Sequence, residues 1–587
     1  MINYIDEFNK WTSDKVFDEQ TKKELLEITD EKEIQDRFYK SLSFGTGGMR
    51  GVIGAGINRM NVYTVGKATQ GLANFINKTV KDGSVVIAYD SRRMSPEFAL
   101  RTALVMSANG IKAYLFDSLR PTPELSFAVR FLSTTAGICI TASHNPPEYN
   151  GYKVYWSDGG QIVAPYDQQI IDEVNAITDF NDVKSISKKD ALDKGLLKYV
   201  GKEVDDAYIG ELKKLVLNPS VIKEMARDIK IVYTPLNGAG NVPVQRVLKE
   251  LGFESVWVVP EQEKPDGNFP TLEYPNPEDP KAFTYALKLA KEKDADLVLA
   301  TDPDSDRLGV FAKDAKSGEY KMFTGNMSGL LIAEYQVSQK KEKGLLPKKT
   351  TDGALITTIV SSDMAHAMAK EYGLTVIEVL TGFKYIGEQI KLFEEAKKVN
   401  SGVLDGDKCA YEYLFGYEES YGCLVGTHAR DKDAVVAVLA LCEAAAYYKK
   451  QGLTLCDQME NMYKKYGYYK ETIHTAVLKG ADGAEKIVSI INGLRNNPAK
   501  TVGGYPVLAV RDYKTGVRTD MITGEKSAVT LPNSNVLYYE FDGAWCCVRP
   551  SGTEPKIKFY FGVKANTEKE SQEKLEKLRL GFLELTE

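Results

Sequence analysis

The feature that most limits what this chain can fold into is a phrase repeated three times: an apolar run of strand length, a helical stretch, a glycine, and a second apolar run. It first reads as residues 85–89, a helix opening at Ser95-Pro96-Glu97 and stopping near Asn109-Gly110, then residues 112–116. It returns as 229–233, 242–251, Gly252 and 255–259, and again as 354–358, 364–372, Gly373 and 374–379. A glycine just past a helix takes the left-handed conformation that ends it, and a helix carried between two strands joins them in parallel. Serine followed by proline at 95 and 96 is the pattern of a capped helix start, with Pro96 at the first helical position. The expectation is three similar α/β domains with mainly parallel mixed sheets.

The last part of the chain departs from this phrase. Residues 536–541 and 544–548 flank an Asp542-Gly543 turn, the signature of a hairpin, and a strand at 556–561 and an amphipathic helix from Thr567 follow. A smaller C-terminal α+β domain is expected there. Residues 4–40, helical in period and densely charged, form an expected N-terminal arm. At 587 residues the chain exceeds what one core supports, and the expected boundaries are 1–204, 205–322, 323–453 and 454–587. The longest apolar run, 434–442, is cut by Glu443 and far too short for a bilayer, so it reads as a buried helix.

Charge narrows the partners. Seventy-five Lys and Arg against 81 Asp and Glu, a net −6, make no field that would gather nucleic acid or an anionic membrane. A phosphorylated substrate would need a locally basic site. Seven cysteines, an odd number with no Cys-x-x-Cys pair, fit a reducing compartment. Residues 1–7 lack the basic start and apolar core of a signal peptide, and a cytoplasmic protein is expected.

Five stretches carry the chemistry. In Phe44-Gly45-Thr46-Gly47-Gly48-Met49-Arg50-Gly51, glycine-freed backbone N–H groups and the forked donor of Arg50 suit an anion. The apolar run 136–140 leads into Thr141-Ala142-Ser143-His144-Asn145-Pro146-Pro147, with Asn150-Gly151-Tyr152-Lys153 close behind. That sets a serine just beyond the carboxyl end of a buried strand, where open α/β sheets bind ligands. After the strand 296–300 comes Thr301-Asp302-Pro303-Asp304-Ser305-Asp306-Arg307. Three carboxylates packed together repel unless a cation offsets them, and three Asp ligands on Mg²⁺ leave room for a phosphate oxygen and water. An EF-hand is excluded, because Arg307 and Lys313 stand where it needs Gly and Glu. In Gly416-Tyr417-Glu418-Glu419-Ser420-Tyr421-Gly422, Glu418 and Ser420 suit adjacent sugar hydroxyls, and Arg549-Pro550-Ser551-Gly552-Thr553 makes a phosphate cradle. Singly, each stretch also has the composition of an ordinary turn.

Taken in order, the last four loops resemble those of the α-D-phosphohexomutase superfamily, in their phosphoglucomutase/phosphomannomutase form: Thr-Ala-Ser-His-Asn-Pro, Asp-x-Asp-x-Asp-Arg, Gly-x-Glu-x-Ser and Arg-x-Ser-Gly-Thr. The resemblance runs from Phe44 to the end of the chain. It implies four domains around a central active-site cleft and a mutase interconverting glucose 1-phosphate and glucose 6-phosphate. In that reading Ser143 carries the phosphoryl group and passes it through glucose 1,6-bisphosphate, both intermediate and activator. Mg²⁺ would be held by Asp302, Asp304, Asp306 and an oxygen on Ser143, with Arg50 and Arg307 neutralising charge. Arg549, Ser551, Gly552 and Thr553 would hold the distal phosphate, while Glu418, Ser420, Thr381, Gly382, Lys384 and Lys432 contact the substrate. Proton transfer falls to Lys153 assisted by His144, with Lys384, Lys432 and His428 as further candidates, and a lysine base needs a lowered pKa. His366 and His474 lie in no motif and read as structural. The implied partners are hexose phosphates, with no nucleic acid or membrane, for a monomer or homodimer. The alternatives are a phosphomannomutase or phosphopentomutase of the same superfamily, an aspartyl-nucleophile phosphatase, since Asp302-x-Asp304 after a strand also suits one, and a non-catalytic sugar-phosphate sensor.

Overall fold

The first sheet is built from β1 (Gly48–Val52), β2 (Ser84–Tyr89), β3 (Lys112–Phe116), β4 (Ala136–Ile140), β5 (Tyr149–Trp156) and β6 (Leu197–Val200), in the order β1–β5–β4–β2–β3–β6. The structure is a computed structural model that describes residues 3–45, 47–400, 411–478, 480–551 and 556–586. Strands β4, β2, β3 and β6 run parallel; β5 turns back antiparallel to β4, and β1 lies antiparallel to β5. Every residue of β4 is buried, as its unbroken small and apolar sequence requires of a strand covered on both faces.

The pattern recurs in the second sheet. Strands β7 (Ile231–Thr234), β8 (Val256–Val258), β9 (Leu297–Thr301), β10 (Leu308–Lys313) and β11 (Tyr320–Phe323) are ordered β11–β10–β9–β7–β8, with a parallel part ending at β9 and an antiparallel part beginning at β10. In the third sheet β12 (Gly353–Thr358) lies parallel to both β13 (Thr375–Val379) and β14 (Glu412–Glu418). The three helix-ending glycines adopt the expected left-handed backbone, with φ of 78° at Gly110, 93° at Gly252 and 69° at Gly373. The C-terminal sheet is antiparallel; Phe541 pairs with Ala544 across the Asp542-Gly543 turn, and helix Glu568–Leu583 packs over strand Lys556–Ala565. The arm forms three short helices, Tyr4–Ser13, Glu19–Leu26 and Glu31–Phe38, gathered around Trp11, Phe17, Leu25 and Phe38.

One local expectation is corrected. Ser95 does not cap its helix but is the first residue of Ser95–Ala108, with Pro96 second; Met94, at φ 64°, occupies the cap position. The Ser95 hydroxyl instead donates to the buried Asp90 carboxylate at 2.8 Å, a stronger acceptor contact than a capping bond. Within the glycine-rich stretch, Gly48–Val52 forms strand β1. At Gly48 φ is 134° and a Cβ would lie 1.8 Å from the Tyr152 carbonyl oxygen, so glycine is required where β1 meets β5.

The chain divides into two compact units: Met1–Ser328 with Phe383–Ala410 and Ser420–Leu455, and Gly329–Gly382 with Tyr411–Glu419 and Cys456–Glu587. The first holds the arm, the first two sheets and helix Ala434–Lys450, whose residues 434–446 are all buried. The second holds β12–β14 and the C-terminal sheet. Among the described residues no helix is long and apolar enough to cross a membrane.

Candidate active site

Three of the loops singled out by sequence occupy one topological position. Residues 141–148 link the last parallel strand of the first sheet, β4, to its antiparallel neighbour β5. Residues 302–307 link β9 to β10 in the same way, and residues 419–421 follow β14. Each loop contains a non-glycine residue in the left-handed region: Ser143 at φ 52°, Ser305 at 53° and Tyr421 at 67°. Side chains rarely adopt that conformation unless the surroundings impose it.

Ser143 is held from several directions. The residue is only 3% exposed, and its hydroxyl donates to Asp302 Oδ2 at 2.7 Å and lies 3.2 Å from His144 Nδ1. Its N–H donates to Thr141 Oγ1 at 2.8 Å, and Thr141 in turn donates to Asp90 Oδ2 at 2.6 Å. The first and second sheets therefore meet at a serine–aspartate hydrogen bond.

Asp302, Asp304 and Asp306 are all buried, and each presents an oxygen within 4.8 Å of the others. Burial and mutual repulsion with Asp306 and Asp304 push the Asp302 carboxyl well above the usual carboxylate range. At Asp306 burial acts the same way, but Lys432, Lys153 and Arg307 outweigh it and hold the group low. Asp302 Oδ1 accepts the N–H groups of Asp306 and Arg307, both at 3.0 Å. Asp304 Oδ1 and Asp306 Oδ1 are buried without a hydrogen-bond partner, an orphaned pair of hard oxygens that fits a divalent cation.

The basic residues divide by contact. Lys153, carried by β5, donates to Asp304 at 2.7 Å and Asp306 at 3.2 Å. Burial alone would lower its pKa, but the charges of Asp304, Asp306 and Asp431 prevail and raise it, the opposite of what a lysine base needs. Lys432 Nζ lies 3.1 Å from both Asp306 and Asp431. Arg307 pairs with Glu278, and Arg50 donates to Asn145 at 3.1 Å. Lys384 lines a cavity of about 210 Å³ with Trp156, Asp158, Glu388 and Lys391. His428 Nε2 lies 2.7 Å from Asp433, which also accepts from Tyr208. Ser420 lies in the same unit, beside Tyr421, whose carbonyl accepts the Leu308 N–H at 2.9 Å.

Thr381, Gly382, Glu418, Arg549 and Ser551 belong to the second unit, while Gly552 and Thr553 lie outside the described residues, as does Thr46 of the glycine-rich stretch. Glu418 is buried at the end of β14. Its neighbour Glu419, buried and repelled by Glu418, is pushed up to about 7 and accepts from Thr358 at 2.9 Å. In the same unit the phenol of Tyr560 is raised by burial and by the charge of Glu419, against which Arg549 acts.

Two contributors were not among the expected residues. Thr122 donates from its hydroxyl to Asp304 Oδ2 at 2.7 Å and from its N–H to the Asp304 carbonyl at 2.8 Å. The signal was a threonine between two prolines at a helix start, Pro121-Thr122-Pro123. The second is the buried pair Asp90 and Arg92, signalled by charged residues directly after the apolar strand β2.

Comparison with known proteins finds relatives along most of the chain. Residues 41–181, 206–318 and 324–466 match α/β/α domains I, II and III of phosphoglucomutase/phosphomannomutase. A phosphoglucomutase of Staphylococcus saprophyticus is 38% identical over 541 residues, 92% of this chain and 94% of that protein. One from Staphylococcus aureus is 37% identical, over 92% of this chain and 93% of its own. The fold matches the Paramecium phosphoprotein pp63/parafusin, a phosphoglucomutase, in its open form, with a TM-score of 0.65 at 18% identity over 93% of this chain and 95% of that one. It also matches a phosphoglucomutase/phosphomannomutase family protein of Burkholderia thailandensis, with a TM-score of 0.63 at 19% identity over 92% and 96%.

Proposed function

The chain belongs to the phosphoglucomutase/phosphomannomutase family, and on that premise we propose that it interconverts glucose 1-phosphate and glucose 6-phosphate with Ser143 as the phosphoryl carrier. The observation that supports this most directly is the buried Ser143 hydroxyl 2.7 Å from Asp302, whose loop neighbours Asp304 and Asp306 are paired with Lys153 and Lys432. Phosphoryl transfer asks mainly for positioning and charge neutralisation, and these groups supply both.

A hydroxyl of the bound sugar phosphate attacks the phosphorus of phospho-Ser143. The P–Oγ bond breaks, Oγ recovers a proton, and the attacking hydroxyl gives up its own. The glucose 1,6-bisphosphate so formed reorients and returns its other phosphoryl group to Ser143. Asp302, Asp304, Asp306 and the serine oxygen would hold Mg²⁺, which would supply positive charge to the phosphoryl oxygens. Lys153, kept protonated by its two aspartates, acts as charge, while His144, 3.2 Å from Oγ, is the group positioned to exchange the proton. Arg50 and Arg307 flank the anion; Lys384 and Lys432 add positive charge for the substrate. Glu418 and Ser420, with Thr381 and Gly382, take the sugar hydroxyls, and Arg549, Ser551, Gly552 and Thr553 the distal phosphate.

The test has two arms. Mass mapping of enzyme incubated with glucose 1,6-bisphosphate should find phosphate on Ser143, stable to hydroxylamine; phosphate on Asp302 would overturn the assignment. Glucose 6-phosphate formation should exceed turnover of mannose 1-phosphate and ribose 1-phosphate, and Ser143→Ala should lower kcat by roughly 10³-fold or more with the fold retained.

A further inference from the structure

Behind the serine loop lies a buried arginine that the reaction as described does not use. Arg92 is 1% exposed, and its guanidinium donates to the main-chain carbonyls of Ser143 at 2.7 Å, Pro146 at 2.8 Å and Tyr149 at 3.0 Å, and to that of Asn145. Its partner Asp90, 3.4 Å from Nε, receives the Thr141 hydroxyl, which in turn receives the Ser143 N–H. The main chain on both sides of Ser143 is thus tied to one ion pair. The carbonyl side is held directly and the amide side through Thr141.

The outside of the clamp is closed by the connection between β8 and β9. The fully buried Phe269 lies against the Arg92 guanidinium, 5.2 Å from ring centre to the cation, and is itself left-handed at φ 46°. Gly267 packs so tightly on this segment that a Cβ there would meet the Arg93 nitrogen at 2.5 Å. A charge taken out of water at such cost contributes little net stability, yet its forked donors fix geometry that a single-point cation cannot.

We propose that Arg92 is a positioning residue for phosphoryl transfer: with Asp90 and Thr141 it imposes the left-handed conformation of Ser143 that aims Oγ at the aspartate loop. The proposal rests on Ser143 being the phosphoryl carrier. Its effect belongs on kcat, because the clamp touches neither the sugar nor the distal phosphate, and a sub-ångström misplacement of a nucleophile slows the chemical step.

Three variants test it together: Ser143→Ala, Arg92→Lys and Thr141→Val, the last removing the hydroxyl relay while keeping shape. Each is assayed for kcat and KM with glucose 1-phosphate, for melting temperature, and for the rate at which glucose 1,6-bisphosphate phosphorylates the enzyme, followed by intact mass. Arg92→Lys and Thr141→Val should each lose at least roughly tenfold in kcat and in phosphorylation rate, with KM changed less than about twofold. If Ser143→Ala stays active, the carrier assignment falls and this proposal with it. If Ser143→Ala is inactive but the other two keep wild-type kcat, only the positioning role is overturned; if Arg92→Lys fails to fold, Thr141→Val decides alone.

Discussion

At Thr122 a single residue makes two hydrogen bonds to one aspartate, a main-chain and a side-chain contact to Asp304. Partners of metal ligands typically change metal affinity by roughly 10–100-fold when removed, so Thr122→Val should raise the Mg²⁺ concentration for half-maximal activity by about that factor. An unchanged Mg²⁺ titration would remove Thr122 from the site. Asp304→Asn should go further: Mg²⁺ should raise the melting temperature of the wild type over EDTA and leave that of the variant unchanged, because the orphaned oxygens at Asp304 and Asp306 no longer form one acceptor set. The carboxylates themselves were legible in the sequence, since three acidic residues at alternate positions of a tight turn repel one another unless a cation sits among them. Thr122 and Arg92 were not, because both act across about 50 or more residues of chain on groups whose neighbours only folding reveals. The direction of the Lys153 shift was hidden for the same reason: whether burial or aspartate charge prevails depends on distances a sequence does not contain.

At the scale of elements, the edge of the first sheet depends on one backbone conformation. Gly48→Ala sets a Cβ against the Tyr152 carbonyl at a left-handed position, and should cost at least ~2 kcal/mol in urea unfolding while loosening β1 from β5. A neutral outcome would mean that the edge strand can shift to accommodate it. The loop after β12 gives a pH test. Asp363, raised by burial from 3.8 to about 6, binds its proton more tightly in the folded chain, so its contribution is present below pH 3.8 and lost as pH rises towards 6. Asp363→Asn carries no such titration, and its melting temperature should climb relative to wild type across that window; parallel curves would show that the group is not perturbed. Strands and helices of the repeated phrase were readable because glycine stops and unbroken apolar runs are local signals. Strand β5 was not, since Tyr149–Trp156 mixes Asn, Gly and Lys into a strand buried on both faces and paired with two neighbours.

For the whole molecule, the apolar helix Ala434–Lys450 shows how sequence distance and packing part company. It lies against helices Pro219–Met225 and Asn241–Leu251, far earlier in the chain. A fragment of residues 1–328 contains both complete sheets of the first unit but lacks this cover. It should bind an apolar dye and aggregate where the intact chain should do neither; a soluble, dye-free fragment would show that the helix is dispensable. The division of the chain also bears on its birth. The path crosses between units at residues 328, 382, 410, 419 and 455, so the first unit cannot close until residue 455 has left the ribosome. At about 5–20 residues per second, the intervening stretch takes roughly 6–25 s to synthesise, an interval in which an unfinished apolar surface waits for a helix not yet made.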